Sequence, residues 1–148
     1  MMEQSTGRIS AFVGTFCIPR DRMPDTSIKV LIVDDFATMR RIVKNILTQL
    51  GYKNVIEADD GTSAINVLKQ EKVGLIISDW NMPKMTGLEL LKNVRANPEW
   101  ASTPFIMVTA EAQQENIIMA VKAKVSQYIV KPFTADTLGE KINKVLGC

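Results

Sequence analysis

From Ile28 onward, short apolar runs alternate with longer stretches in which apolar residues recur three and four positions apart. Leu75–Ile77 has no polar alternate, which predicts a strand buried on both faces. Lys29–Val33 and Phe105–Val108 repeat that pattern, and Val55–Ala58 and Tyr128–Val130 are shorter versions of it. Between these runs, Phe36–Leu50 places Met39, Ile42, Val43, Ile46, Leu47 and Leu50 on one helical stripe, and Gly51 is positioned to end it. Thr62–Gln70 predicts a second helix with Ala64, Ile65 and Leu68 inward. Thr86 caps a third through Arg95 that buries Leu88, Leu91 and Val94. A fourth is expected from Ala112 to about Lys122, with Ile117 and Val121 on one side. Thr134 caps the last, helped by Asp136 in its first turn, with Leu138, Ile142 and Val145 as the inner stripe. Five strand–helix units in strict alternation predict an α/β fold with a parallel sheet covered by helices on both faces.

Residues 1–27 follow no such period. Pro19 and Pro24 interrupt them, and three acids (Glu3, Asp21, Asp25) balance three arginines (Arg8, Arg20, Arg22). They are expected to form a loosely attached leader, with Met23 as an alternative natural start, ahead of one domain spanning 28–148.

Composition narrows the chemistry. Histidine is absent from the 148 residues, which removes Ser-His-Asp and Cys-His catalysis, histidine zinc sites and any phosphohistidine of the chain's own. The two cysteines, Cys17 and Cys148, lie at opposite extremes of the chain; a reducing, cytoplasmic setting is expected rather than a disulfide framework. A net charge of +2 with no basic run argues against nucleic acid, and no apolar stretch is long enough to span a bilayer.

What the composition leaves is carboxylates, hydroxyls and lysine, and the strand ends collect them. In an open parallel sheet, ligands bind beyond the carboxyl ends of the strands. Four predicted strands end there in polar residues: Asp34 with Asp35, Asp79, Thr109 and Lys131. Singly, each is readily a turn or capping residue; together they place three carboxylates, a hydroxyl and an ammonium in one crevice. Three neighbouring carboxylates need a cation or protons. An all-oxygen set selects a hard cation, with magnesium the best fit because it retains waters for a substrate. Such a metal beside a lysine and a hydroxyl suits phosphoryl oxygens. Asp79, heading the central loop, is then the natural nucleophile, giving an aspartyl phosphate, while Asp34 and Asp35 serve the metal.

The segments Val33-Asp34-Asp35-Phe36, Ser78-Asp79-Trp80-Asn81-Met82-Pro83, Val108-Thr109-Ala110-Glu111-Ala112 and Tyr128-Ile129-Val130-Lys131-Pro132-Phe133 resemble, in order and context, the receiver domain of two-component response regulators. The likeness runs from Ile28 to about Gly147 and is nearest to the family's single-domain chemotaxis regulators. It implies a doubly wound, flavodoxin-like sheet in the order 2-1-3-4-5. It also implies a signalling switch rather than an enzyme, phosphorylated on Asp79 by a partner histidine kinase or a small donor such as acetyl phosphate. The implied Mg2+ ligands are Asp35, Asp79 and the backbone carbonyl of Asn81, with Asp34 acting through water. Thr109, Ala110 and Lys131 would hold the phosphoryl group, Thr109 and Tyr128 would move on switching, and Asn81 and Glu111 would tune self-hydrolysis. The resemblance further implies a cis Lys131–Pro132 bond, a monomer, and partners on the surface of helix four, strand five and helix five: a flagellar switch protein and a phosphatase.

The departures fall on that surface. Gln113 and Gln114 stand where the chemotaxis regulators carry lysines, and Lys124 and Gln127 stand where they carry glycines. A lysine in a left-handed position costs about 1 kcal/mol, so the loop between helix four and strand five is expected to change shape. A phosphate sink, or a regulator of a non-flagellar partner, is the alternative output. An aspartate-nucleophile phosphatase is disfavoured because Asp34 and Asp35 are adjacent and no cap domain exists to select substrates. A flavin carrier is disfavoured because no Ser/Thr/Gly-rich phosphate loop follows the first strand.

Overall fold

The computed structural model describes residues 26–110 and 114–146. Ten elements alternate along it: β1 (Lys29–Val33), α1 (Ala37–Gln49), β2 (Asn54–Ala58), α2 (Gly61–Gln70), β3 (Leu75–Asp79), α3 (Gly87–Ala96), β4 (Phe105–Thr109), α4 (Gln114–Lys122), β5 (Gln127–Val130) and α5 (Ala135–Leu146). The strands form one parallel sheet in the order β2-β1-β3-β4-β5. Its switch point lies between β1 and β3, where the chain leaves in opposite directions and opens a crevice.

Strand alternation sorts the core into two layers. Val30, Ile32, Leu75, Ile77, Ile106, Val108 and Ile129 meet Val43, Ile46 and Leu47 of α1 and Leu138 and Ile142 of α5. On the other face Leu31, Val33, Ile76, Phe105 and Met107 meet Ala64 and Leu68 of α2 and Leu90, Leu91 and Val94 of α3. Every residue of β3 and β4 is buried, as expected for inner strands of a sheet covered on both sides.

The helix ends follow local chemistry. Asp60 caps α2 by accepting from the Ser63 amide at 2.8 Å. Thr86 and Glu89 form a reciprocal capping box on α3, and Thr134 Oγ1 accepts from the Thr137 amide at the start of α5. Gly51 closes α1 with φ +99°, a conformation open to glycine at little cost.

Several finer expectations change. Phe36 is the N-cap of α1 rather than its first residue, and its side chain is 65% exposed. Ile42 and Leu50 stand at the exposed edge of the α1 stripe. In α3 the buried leucines are Leu90 and the expected Leu91, while Leu88 is only half-buried. In α4 the buried residue is Ala120, and Val121 faces solvent. Lys124 does not escape the left-handed turn: it adopts it, with φ +68°. Glu111, Ala112 and Gln113, residues 1–25, and Gly147 and Cys148 lie outside the described residues.

Candidate functional site

β1 and β3 are adjacent and parallel, with Val33 opposite Ser78, so the residues that follow each emerge side by side at the same edge. Asp34 and Asp79 are buried there, 4% and 5% exposed. Asp35 is the more open third member, and one carboxylate oxygen from each acid lies within 4.8 Å of the others. β4 ends one residue further along, at buried Thr109. The Lys131 amide donates to the Thr109 carbonyl at 2.8 Å, so β5 delivers Lys131 to the same edge. The Lys131–Pro132 bond is cis.

The ammonium of Lys131 lies 3.1 Å from Asp79 Oδ1 and 3.8 Å from Asp34 Oδ2. Asp34 Oδ1 accepts from the Phe36 amide at 2.9 Å. Both Asp34 oxygens are thereby engaged. Asp35 Oδ1 is different: it is a buried carboxylate oxygen with no hydrogen-bond partner among the described residues. Leaving such an atom unsatisfied costs about 1–3 kcal/mol, and a cation among the three acids removes that cost.

Burial raises the pKa of Asp34, the Phe36 amide and Lys131 offset part of the rise, and the charge of Asp79 adds to it. Burial likewise raises Asp79, with Lys131 opposing. One ammonium therefore does not neutralise the crevice. Its chemistry, hard oxygens facing one orphaned oxygen, fits a divalent ion of the magnesium type.

The loop that follows Asp79 is closely fitted. The Trp80 amide donates to the Val108 carbonyl, and the Gly87 amide to the Trp80 carbonyl, each at 2.9 Å. A Cβ on Gly87 would run into the Asp79 carbonyl oxygen. Asn81 is exposed in this loop, and Ala110 is exposed just past β4. Tyr128 lies away from the acids on β5, opposite Met107, half-buried with Lys141 Nζ 5.7 Å from its ring centre. The structure thus brings Asp34, Asp35, Asp79, Thr109 and Lys131 to one edge; Glu111 falls outside the described residues.

Sequence reasoning passed over three side chains that brace these elements. Arg40 donates to the Asp34 carbonyl and to Glu57. Lys84, at φ +67°, pairs with Asp60 at the start of α2. Arg95 donates to the carbonyls of Lys124 and Thr103. The contacts to Glu57, Asp60 and Lys124 join residues distant in sequence, and those to Asp34 and Thr103 run from a helix to a nearby loop carbonyl; none leaves a local pattern in the sequence.

The sequence matches the response regulator receiver domain over residues 30–143. The chain belongs to that family. Among relatives of this receiver domain, the chemotaxis protein CheY-3 of Vibrio cholerae is 56% identical over 119 residues, covering 80% of this chain and 92% of the relative. The chemotaxis protein CheY of Pseudomonas aeruginosa is 54% identical over 117 residues, 79% of this chain and 94% of its own. The solved structure of the chemotaxis response regulator CheY4 of Vibrio cholerae superposes with a TM-score of 0.76 at 37% identity, over 81% of this chain and 99% of that one. This receiver domain is therefore CheY-like, with the flavodoxin-like strand order its sequence implied. Among the described residues, no helix is long and apolar enough to cross a membrane.

Proposed function

We propose that this receiver domain is a signalling switch charged on Asp79 by a partner histidine kinase, with Mg2+ as cofactor and a chemotaxis output at the flagellar motor. The observation that carries the reading is the gathering of three acids around an unsatisfied oxygen, with Lys131 on the central one. An oxygen of Asp79 attacks the phosphorus of the donor. The P–N bond of the phosphohistidine breaks, its electron pair returns to the imidazole, and a carboxyl–phosphate bond forms. Lys131, the Thr109 hydroxyl and the Ala110 amide hold the phosphoryl oxygens. Asp35, Asp79 and the Asn81 carbonyl, with Asp34 through water, would hold a divalent ion, which would supply positive charge against that building up on those oxygens.

The output then runs from Thr109 along β4 and β5 to Tyr128, and so to the surface of α4, β5 and α5. That two chemotaxis proteins are more than half identical over most of this chain supports the motor as target. The domain acts on its own carboxylate as a cytoplasmic monomer, with residues 1–27 as a leader outside the switch, and a phosphatase is its second partner.

The sequence departures at Gln113, Gln114, Lys124 and Gln127 favour a second output, a phosphate sink or a non-flagellar partner. Pull-down of a flagellar switch peptide with and without beryllium fluoride separates them. Capture only with the mimic supports the motor; no capture in either state, with Asp79 still phosphorylated by the kinase, removes it.

A further inference from the structure

Asp34 is held at every polar atom. Its amide donates to the Ala58 carbonyl at 3.1 Å, Oδ1 accepts from the Phe36 amide and Oδ2 faces Lys131. Its carbonyl is taken by a side chain: Arg40 Nη1 donates to it at 2.6 Å. The same guanidinium turns its Nε to Glu57 Oε1 at 3.0 Å. Glu57 lies on β2 opposite Ile32, and Lys44 adds a second cation 3.7 Å from its other oxygen. The Arg40 side chain is 18% exposed. One fork therefore spans the point where β1 hands the chain to α1, with its anchor on a neighbouring strand.

We propose that Arg40 is a positioning residue of the acid site, fixing the turn from Val33 to Phe36 so that Asp34 and Asp35 face Asp79. The proposal rests on the reading that these acids take a divalent cation. It concerns geometry rather than charge, and the two have opposite signs. A cation close to an acidic cluster repels Mg2+, so on Coulomb grounds removing Arg40 tightens the metal. If the fork holds the ligands in place, removing it weakens the metal instead. Lysine at this position separates the two, since it keeps the charge but, as a point donor, cannot bridge a carbonyl and a carboxylate in the same way.

The test is Mg2+ titration by Trp80 fluorescence, with Trp100→Phe as background, comparing Arg40, Arg40→Gln and Arg40→Lys well below their melting temperatures. Both variants should lose roughly tenfold in affinity, the scale seen when groups that orient metal ligands are removed. A tighter Arg40→Gln, or an Arg40→Lys indistinguishable from the parent, overturns the proposal. Hydrogen exchange at the Phe36 amide in metal-free protein gives an independent measure. Exchange should be faster in both variants, and unchanged protection in Arg40→Lys also overturns it. If the parent does not respond to Mg2+, the cation reading fails by itself, and the exchange measurement still decides whether Arg40 holds the turn.

Discussion

Lys131 and Asp79 come from strands separated by β4, yet the ammonium of one lies 3.1 Å from a carboxylate oxygen of the other. Lys131 is the cation that opposes the rise in Asp79's pKa. Removing it leaves the carboxylates of Asp34 and Asp79 without their ion-pair partner among the described residues. Lys131→Ala is expected to cost about 1–3 kcal/mol at neutral pH without metal, since breaking a buried pair leaves its partner's charge uncompensated. Denaturant melts check this; the deficit should shrink as acid protonates the carboxylates.

The same reasoning fixes the pH dependence of the metal-free parent. Asp34 and Asp79 have folded-state pKa values raised above the ordinary carboxylate value, burial being the largest cause. The folded chain then binds more protons than the unfolded chain in the window between the two values. Stability contributed by these groups is full below the ordinary value and falls as pH rises through the raised one. Asp79→Asn removes its part of that penalty. It should stabilise the metal-free protein by about 1 kcal/mol or more at neutral pH, and by less at about pH 4. An equal gain at both values would contradict the assignment.

Lys124 holds φ +68° with its carbonyl tied to Arg95, and its side chain is exposed. Glycine reaches that conformation at little steric cost and loses no buried contact. Lys124→Gly should therefore stabilise by about 1 kcal/mol, while Lys124→Ala gives no such relief. Equilibrium urea unfolding of the two variants decides it.

Gly87 is required by close approach rather than by its torsion. An added methyl would meet the Asp79 carbonyl and lie 3.0 Å from Trp80 Cα, and backbone cannot step aside as a flexible side chain can. Gly87→Ala should cost about 2–4 kcal/mol and displace the loop beside Asp79. An unchanged melting temperature would show that the loop has slack there.

The sheet was legible because its inner strands carry unbroken apolar runs, and the polar residues that close β1, β3, β4 and β5 stand out against them. Side-chain facing in helices was harder. Around α4, Ile117, Ile118, Met119 and Val121 give no single apolar face, and small Ala120 packs inward while its larger neighbours remain outside. Leu88 and Leu90 of α3 straddle the border of one stripe, so periodicity alone could not choose between them. The candidate site emerged because strand ends share an edge, whereas the Arg40–Glu57 and Arg95–Lys124 contacts depend on three-dimensional neighbours without a local pattern.

The most direct test of the proposed phosphorylation of Asp79 is intact mass after incubation with acetyl phosphate and Mg2+. One added phosphoryl group is predicted, stable in acid, released by base, and absent both in Asp79→Asn and when the metal is chelated. A folded parent protein that gains no phosphoryl group, or one that gains it equally without Asp79, would contradict the account.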